Sequence, residues 1–348
     1  MPFETVCLKT VEYLSVPSVV GHEEHFFRYL KNDFEKLGLT VTQHDGILEI
    51  SGAKPKSQII SAHIDRHGLI SMGNGQYAYA AEYVREEKYG EENRPTRKTL
   101  EAISDRFEGE IMLAYDPKTG DRLGEGTIED CEACMANGDS VFYVRGMKDM
   151  PANIPVGYSR LARSDGDFLK GQIDNVVSIG VIYVLFQNGF QGTAILSAEE
   201  EIGKSWIHIQ NWLEKENIES KNLIIIDTSP YRESEPVDNH IVVLRNRDKS
   251  AEFNKELVER IKKRCEGLNL PFQIKDEFFL SQGLEIKDLG STELGRLVDN
   301  TKGKWSGATI QIPTTEYHTS YETTSKGCIE SFYALLQNIL ITDPIVET

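Results

Sequence analysis

Apolar positions along the chain alternate between two spacings. Val6–Leu14 and His25–Leu37 repeat them at helical intervals, with Phe26, Phe27, Leu30, Phe34 and Leu37 on one face. Gly38 stops the second helix. Leu39–Val41 and Gly46–Ile50 read as short strands and Gln58–Ala62 as a buried one. Beyond residue 170 the alternation becomes regular. Asn175–Phe186 is predicted helical, Thr193–Ala198 a strand, Lys204–Lys215 an amphipathic helix and Asn222–Ile226 an apolar strand. Asn254–Gly267, Phe272–Lys275, Thr292–Val298, Ala308–Ile312 and Ser325–Leu340 continue the series. This is an α/β pattern, and it predicts a mixed central sheet covered by helices on both faces.

The stretch from Ile70 to Arg163 breaks the alternation. It carries turn signals at Gly73-Asn-Gly75 and Lys118-Thr-Gly120, a polar run over Arg85–Lys98, and short β-like stretches at Glu110–Tyr115 and Ser140–Val144. The predicted organisation is therefore an α/β domain formed by residues 1–69 and 164–348, with a small β-rich domain, 70–163, inserted into it.

Composition narrows the class. A chain of 348 residues with 39% hydrophobic residues can bury a large core without disulfide staples. No apolar run approaches the ~20 residues of a membrane span. Glu4, Lys9 and Glu12 interrupt the first fifteen residues, which is unlike a signal peptide. The net charge of −17 argues against a nucleic-acid partner, because phosphate binding needs a basic face. The five cysteines are sparse and odd in number, which suits a reducing cytoplasm. Cys131-Glu-Ala-Cys134 lacks the second ligand pair of a structural zinc site and reads as two ordinary thiols.

Four segments place metal-ligand residue types just beyond apolar strands. They are His63-Ile-Asp65, Glu199-Glu200-Glu201, Asp227, and Gln311-Ile-Pro-Thr-Thr-Glu-Tyr-His318. Asp174, ahead of a helix, adds a fifth. Taken singly, Asp227 reads as a cap or turn residue, Glu199–Glu201 as a solvated loop and His63 as a hydrogen-bonded histidine. Taken together they differ. Ligands gather at the carboxyl ends of strands in open α/β sheets, and carboxylates clustered there repel one another unless a cation neutralises them. A two-metal site of mixed nitrogen and oxygen ligands is the expectation.

These segments, in this order, resemble the M42 family of metallo-aminopeptidases, the tetrahedral aminopeptidases. The family's H-x-D matches His63-Ile-Asp65 with Gly68 beyond; its Asp-Asp matches Asp174-Asn175; its Q-E-E-V-G matches Glu199-Glu200-Glu201-Ile-Gly203. Its D-V/T-x-P matches Asp227-Thr-Ser-Pro230, and its I-P…H-S-P-x-E matches Ile312-Pro…His318-Thr-Ser-Tyr-Glu322. The resemblance implies that Asp174 bridges two divalent metal ions, that His63 and Asp227 complete one site and that Glu201 and His318 complete the other. Zinc is the first expectation, with cobalt or manganese as alternatives. It also implies that Glu200 is the general base for a metal-activated water and that Asp65 orients the imidazole of His63. The implied substrate is a peptide with a free N-terminus, and the implied assembly is a homo-oligomer, a dimer or a dodecamer, built through the inserted domain.

The chain also departs from the family pattern. Arg66 stands where an acid is usual, followed by His67; Asn175 and Val176 replace Asp and Arg; Glu199 replaces Gln; and Glu293 ends the Leu289-Gly-Ser-Thr-Glu293 stretch with an acid one carbon longer. None removes an implied ligand or the base. Two other readings use the same residues: a deacylase or related amidohydrolase on this scaffold, and a non-catalytic metal-binding scaffold protein. The presence of Glu200 counts against the second, because a purely structural metal site needs no proton acceptor. Imidazoles clustered with carboxylates also suit amide hydrolysis better than the isolated carboxylate pair of a glycosidase.

Overall fold

The computed structural model describes residues 2–83, 97–134, 139–160 and 162–345. Of the polar run Arg85–Lys98, only the last two residues lie within them; they open the helix Arg97–Asp105. The side chain of Cys134 is also outside the described residues.

An eight-stranded mixed sheet forms the centre. Across it the strands run Thr40–His44, Ile47–Ser51, Thr193–Ser197, Ile59–His63, Leu223–Pro230, Gly307–Thr314, Val242–Leu244 and Phe272–Ile274. The four inner strands, from Thr193–Ser197 to Gly307–Thr314, are mutually parallel. Their residues are buried almost throughout, as parallel strands covered on both faces must be. The hairpin Thr40–Ser51 adds antiparallel pairing at one side, and Val242–Leu244 pairs antiparallel with Gly307–Thr314 at the other.

The helix Val176–Gln187 is apolar around its whole circumference and buried from Val176 to Phe186. A helix with no polar face has to lie inside, and this one packs between the sheet and the helix Pro2–Leu14. The approach is close because position 180 is glycine: a Cβ there would stand 2.7 Å from Thr10 Oγ1 and 3.1 Å from the Val6 carbonyl.

A second sheet closes on itself. Leu69–Gly73, Gln76–Tyr79, Asp139–Arg145, Arg122–Cys134, Ile111–Tyr115 and Pro155–Tyr158 form a barrel in that order. Tyr77, Phe107, Met112, Tyr115, Phe142 and Val156 fill it as a hydrophobic cluster separate from that of the central sheet. Val19, Val20 and Ile202 join this cluster from outside and fix the barrel against the rest of the chain.

Two features differ from the sequence reading. Lys275, expected at the end of a strand, begins the helix Lys275–Ser281 and is buried. The short strands Arg163–Asp165, Phe168–Lys170 and Thr323–Ser325 form a third sheet that no periodicity announced, since three residues are too few to show one.

Candidate metal centre

The carboxyl ends of the parallel strands bring the singled-out residues together. His63 is the last residue of Ile59–His63, the glutamates follow Thr193–Ser197, Asp227 lies within Leu223–Pro230, and His318 follows Gly307–Thr314. Asp174 precedes the buried helix, across a cis peptide bond to Asn175. His63 Nε2 stands 3.2 Å from Asp174 Oδ1 and 3.3 Å from Asp227 Oδ1. On the other side, His318 Nε2 is 3.6 Å from Asp174 Oδ2 and 3.5 Å from Glu201 Oε2. Asp174 thus faces both histidines with different oxygens. His63, Asp174 and Glu201 bring ligand atoms within 4.8 Å of one another, and so do His67, Glu201 and His318.

The electrostatics of this cluster are those of a buried pocket rich in carboxylates. Burial drives the Glu201 carboxyl well above its ordinary range, and Asp174 beside it pushes the same way. Burial likewise raises Asp174, opposed by its contact with His63. For His63, burial disfavours the proton, but the carboxylates of Asp174, Asp227 and Asp65 that face it together hold its pKa well up. His318 is driven far down by burial and by the neighbouring His67, and His67 falls to about 3 through burial and the Arg106 guanidinium. Four buried atoms, Asp174 Oδ1, Glu201 Oε1, His67 Nε2 and His318 Nε2, have no hydrogen-bond partner among the described residues. Each such group costs about 1–3 kcal/mol if left so. Carboxylate oxygens and imidazole nitrogens around one space are the donor set of zinc or a similar divalent ion, so the residues fit a metal.

The surrounding groups fix these side chains. The Asp65 carboxylate accepts the backbone N–H groups of Glu200 and Glu201, both at 3.0 Å. His63 Nδ1 sits 3.2 Å from the Asp65 backbone carbonyl and 3.6 Å from its carboxylate. Asp65 therefore sets the position of the glutamate turn, and its main chain rather than its side chain is the nearer partner of the imidazole. Glu322 does the same elsewhere: its two oxygens accept the backbone N–H of Asp174 at 2.8 Å and of His318 at 2.6 Å. His318 has a left-handed backbone (φ 62°), an unfavourable state for a residue with a Cβ, and the Glu322 bond helps to hold it. Glu199 is also left-handed (φ 63°), and its carboxylate pairs with His208 at 2.8 Å, away from the cluster.

Glu200 points to a different partner, Arg296 Nη1, at 3.0 Å. Burial raises the Glu200 carboxyl well above its usual range, while Arg296 pulls it back. Glu293, on the same helix as Arg296, is buried and accepts the hydroxyls of Ser61 and Ser197 at 2.9 and 2.6 Å. Those serines belong to two of the parallel strands.

Three neighbours had no functional reading in the sequence: His67, Tyr79 and Arg106. Arg106 Nη1 lies 3.3 Å from His318 Nδ1, Tyr79 Oη contacts His67 Nδ1, and the His67 and His318 rings are 3.7 Å apart. Tyr79 ends a barrel strand and Arg106 follows the helix Arg97–Asp105, so only the fold carries them to the site. His67 could have been found from the sequence, two residues beyond Asp65.

No family model and no curated protein matches the sequence. Solved structures do match over nearly its whole length, at low identity. A TET aminopeptidase from a marine-sediment Thaumarchaeota archaeon superimposes with a TM-score of 0.72 at 14% identity, covering 97% of this chain and 96% of its own. The Pyrococcus horikoshii TET1 peptidase, which can assemble into a tetrahedron or a large octahedral shell, gives 0.67 at 15% identity, with 96% and 99% covered. A Thermotoga maritima protein described as an endoglucanase gives 0.64 at 12% identity, with 95% and 96% covered. The fold of this chain is that of the tetrahedral aminopeptidases, as the motif resemblance implied.

Proposed function

We propose that the chain is a two-metal aminopeptidase that removes N-terminal residues from peptides. The observation that carries this reading is the convergence of His63, Asp174, Glu201, Asp227 and His318 on one buried space with Glu200 at its edge. In the proposed site His63 and Asp227 would hold one divalent ion, Glu201 and His318 would hold the other, and Asp174 would be shared between them. When bound, the ions supply Lewis acidity to water and to the scissile carbonyl. Glu200 takes the proton of the attacking water and passes it to the leaving amine. Arg296 pulls the Glu200 pKa back against the upward push of burial and so favours the ionised form that accepts the proton. Asp65 and Glu322 hold the backbone of Glu200, Glu201, Asp174 and His318, so the proton acceptor and the ligands keep their spacing.

Zinc is the proposed metal, with cobalt or manganese able to occupy the same donors. A homo-oligomer is proposed, supported by the shells formed by the TET1 peptidase, with the barrel, whose strands lie between Leu69 and Tyr158, as its assembly element. No helix among the described residues is long and apolar enough to cross a membrane, and a cytoplasmic setting is proposed from the sparse, odd set of five cysteines. The endoglucanase description of one structural relative finds no support in the site, whose imidazole–carboxylate cluster suits amide hydrolysis.

The test compares matched peptides with free and acetylated N-termini, on protein loaded with zinc and on protein stripped by a chelator. Hydrolysis confined to free N-termini and lost on stripping is expected. Equal or faster turnover of the acetylated set would favour the deacylase reading.

A further inference from the structure

We propose that His67 is an additional metal ligand, giving the ion at Glu201 a second imidazole beside His318; the assignment rests on the two-metal reading above. His67 is 5% exposed, and its Nε2 lies 2.7 Å from Glu201 Oε2. That approach is not aligned as a hydrogen bond, and Nε2 has no other partner among the described residues. Glu201 Oε1 and His318 Nε2 are buried in the same condition. A histidine kept for packing would direct its nitrogens to donors or acceptors. Here three side chains from three different segments, each with an unpartnered buried atom, come together, and all three can contribute a ligand atom within 4.8 Å of the others.

The other nitrogen of His67 supports the assignment. A ligating imidazole ordinarily gives its second N–H to an acceptor, which fixes ring and tautomer. The Nδ1 of His67 meets the Tyr79 hydroxyl, which can accept, and the two rings lie nearly parallel at 15°. This leaves the Nε2 lone pair directed to the site. His318 is held differently. Its Nδ1 faces Arg106, whose guanidinium can only donate, so that contact places the ring proton on Nε2. For His318 to ligate through Nε2, Arg106 has to withdraw; His67 needs no such change. The residue before it, Arg66, does not compete for the metal: it is buried away from the cluster, donating to Ser18 Oγ and the Leu14 and Val16 carbonyls. Arg66 and His67 thus have separate uses. The arginine anchors the segment, and the histidine faces the metal space.

The experiment uses the full chain, stripped by chelator and titrated with zinc by calorimetry, followed by X-ray absorption at the zinc edge. Wild type should bind two ions with three imidazoles shared between them. His67→Leu should weaken one of the two ions by more than about tenfold, the scale of losing ligand support, while the other is unchanged. Tyr79→Phe should weaken the same ion less. If His67→Leu fails to fold by circular dichroism, the imidazole number in wild type decides. Two ions bound by wild type with only two imidazoles, or unaltered zinc affinity in a folded His67→Leu, overturns the His67 assignment alone. A wild type that takes up no zinc, cobalt or manganese removes the two-metal reading and this inference with it.

Discussion

Glu199, Glu200 and Glu201 are chemically identical neighbours, and their surroundings separate them. Glu201 faces His318 and His67, Glu200 pairs with Arg296, and Glu199 turns to His208. Glu200→Gln preserves shape but cannot accept a proton; metal content should stay at the wild-type level while kcat falls by about 100-fold or more. Glu201→Ala should lose metal and activity together. Glu199→Gln can keep its bond to His208 and should change neither. Stoichiometry and kcat across the three variants check the assignment; full activity in Glu200→Gln would sink it. Lys275 offers an independent test of the interior. It is buried, donating to Ser229 Oγ at 2.6 Å and the Pro230 carbonyl at 3.0 Å, between the Tyr231 and Phe279 rings. Burial, reinforced by Arg245 and opposed by Asp227, holds its pKa well below the usual lysine range. Between that lowered value and the unfolded value of about 10.4, the unfolded chain binds more protons, so this residue makes stability rise with pH across that interval. Lys275→Met should flatten the rise, as followed by denaturant unfolding between neutral and alkaline pH; an unchanged slope would show that Lys275 is not its source.

At the scale of elements, the contact between Pro2–Leu14 and Val176–Gln187 depends on position 180 having no side chain. Gly180→Ala gains about 1 kcal/mol of helix propensity but forces an overlap with Thr10, and overpacking costs about 1–3 kcal/mol. The cost outweighs the gain, so Gly180→Ala should lower Tm. A raised Tm would mean that Thr10 moves aside freely. The helix matters beyond its packing because Asp174 and Asn175 precede its first turn. Asn175 Nδ2 donates to the Ile226 carbonyl at 2.9 Å, which ties the helix start to the strand carrying Asp227. Asparagine in place of the family's aspartate gives this contact a donor that a carboxylate lacks.

At the scale of the molecule, the barrel and the central sheet meet at the site. Tyr79 and Arg106 reach the cluster from the barrel side, while the ligands proposed above come from the sheet and its loops. Any displacement of the barrel would therefore disturb the contacts at His67 and His318. The homo-oligomer proposed for this chain should appear in light scattering at micromolar concentration as a dimer or a larger closed assembly, and a monomer there would remove that part of the proposal.

The central sheet was legible because its buried parallel strands are short, nearly continuous apolar runs, and because helices of 3.6-residue period separate them. His63, Asp174, Glu201, Asp227 and His318 could be singled out as candidates as well, since each is a metal-ligand type at a strand end or helix start and the motifs carry their order. Local pattern alone could not supply the distances between them. Asp65 and Glu322 illustrate why: each carboxylate acts on backbone N–H groups more than a hundred residues away or across a loop, and no periodicity encodes such a bond. Phe272–Lys275 shows the same limit in an element, where burial against the Tyr231 and Phe279 rings went with helix rather than strand at Lys275. Sequence by itself determined the period of each element and the kinds of atoms available at its ends. Tertiary structure decided which of those atoms face one another, because that depends on strand order, on the closure of the barrel and on loops whose conformations are set by contacts far apart in the chain.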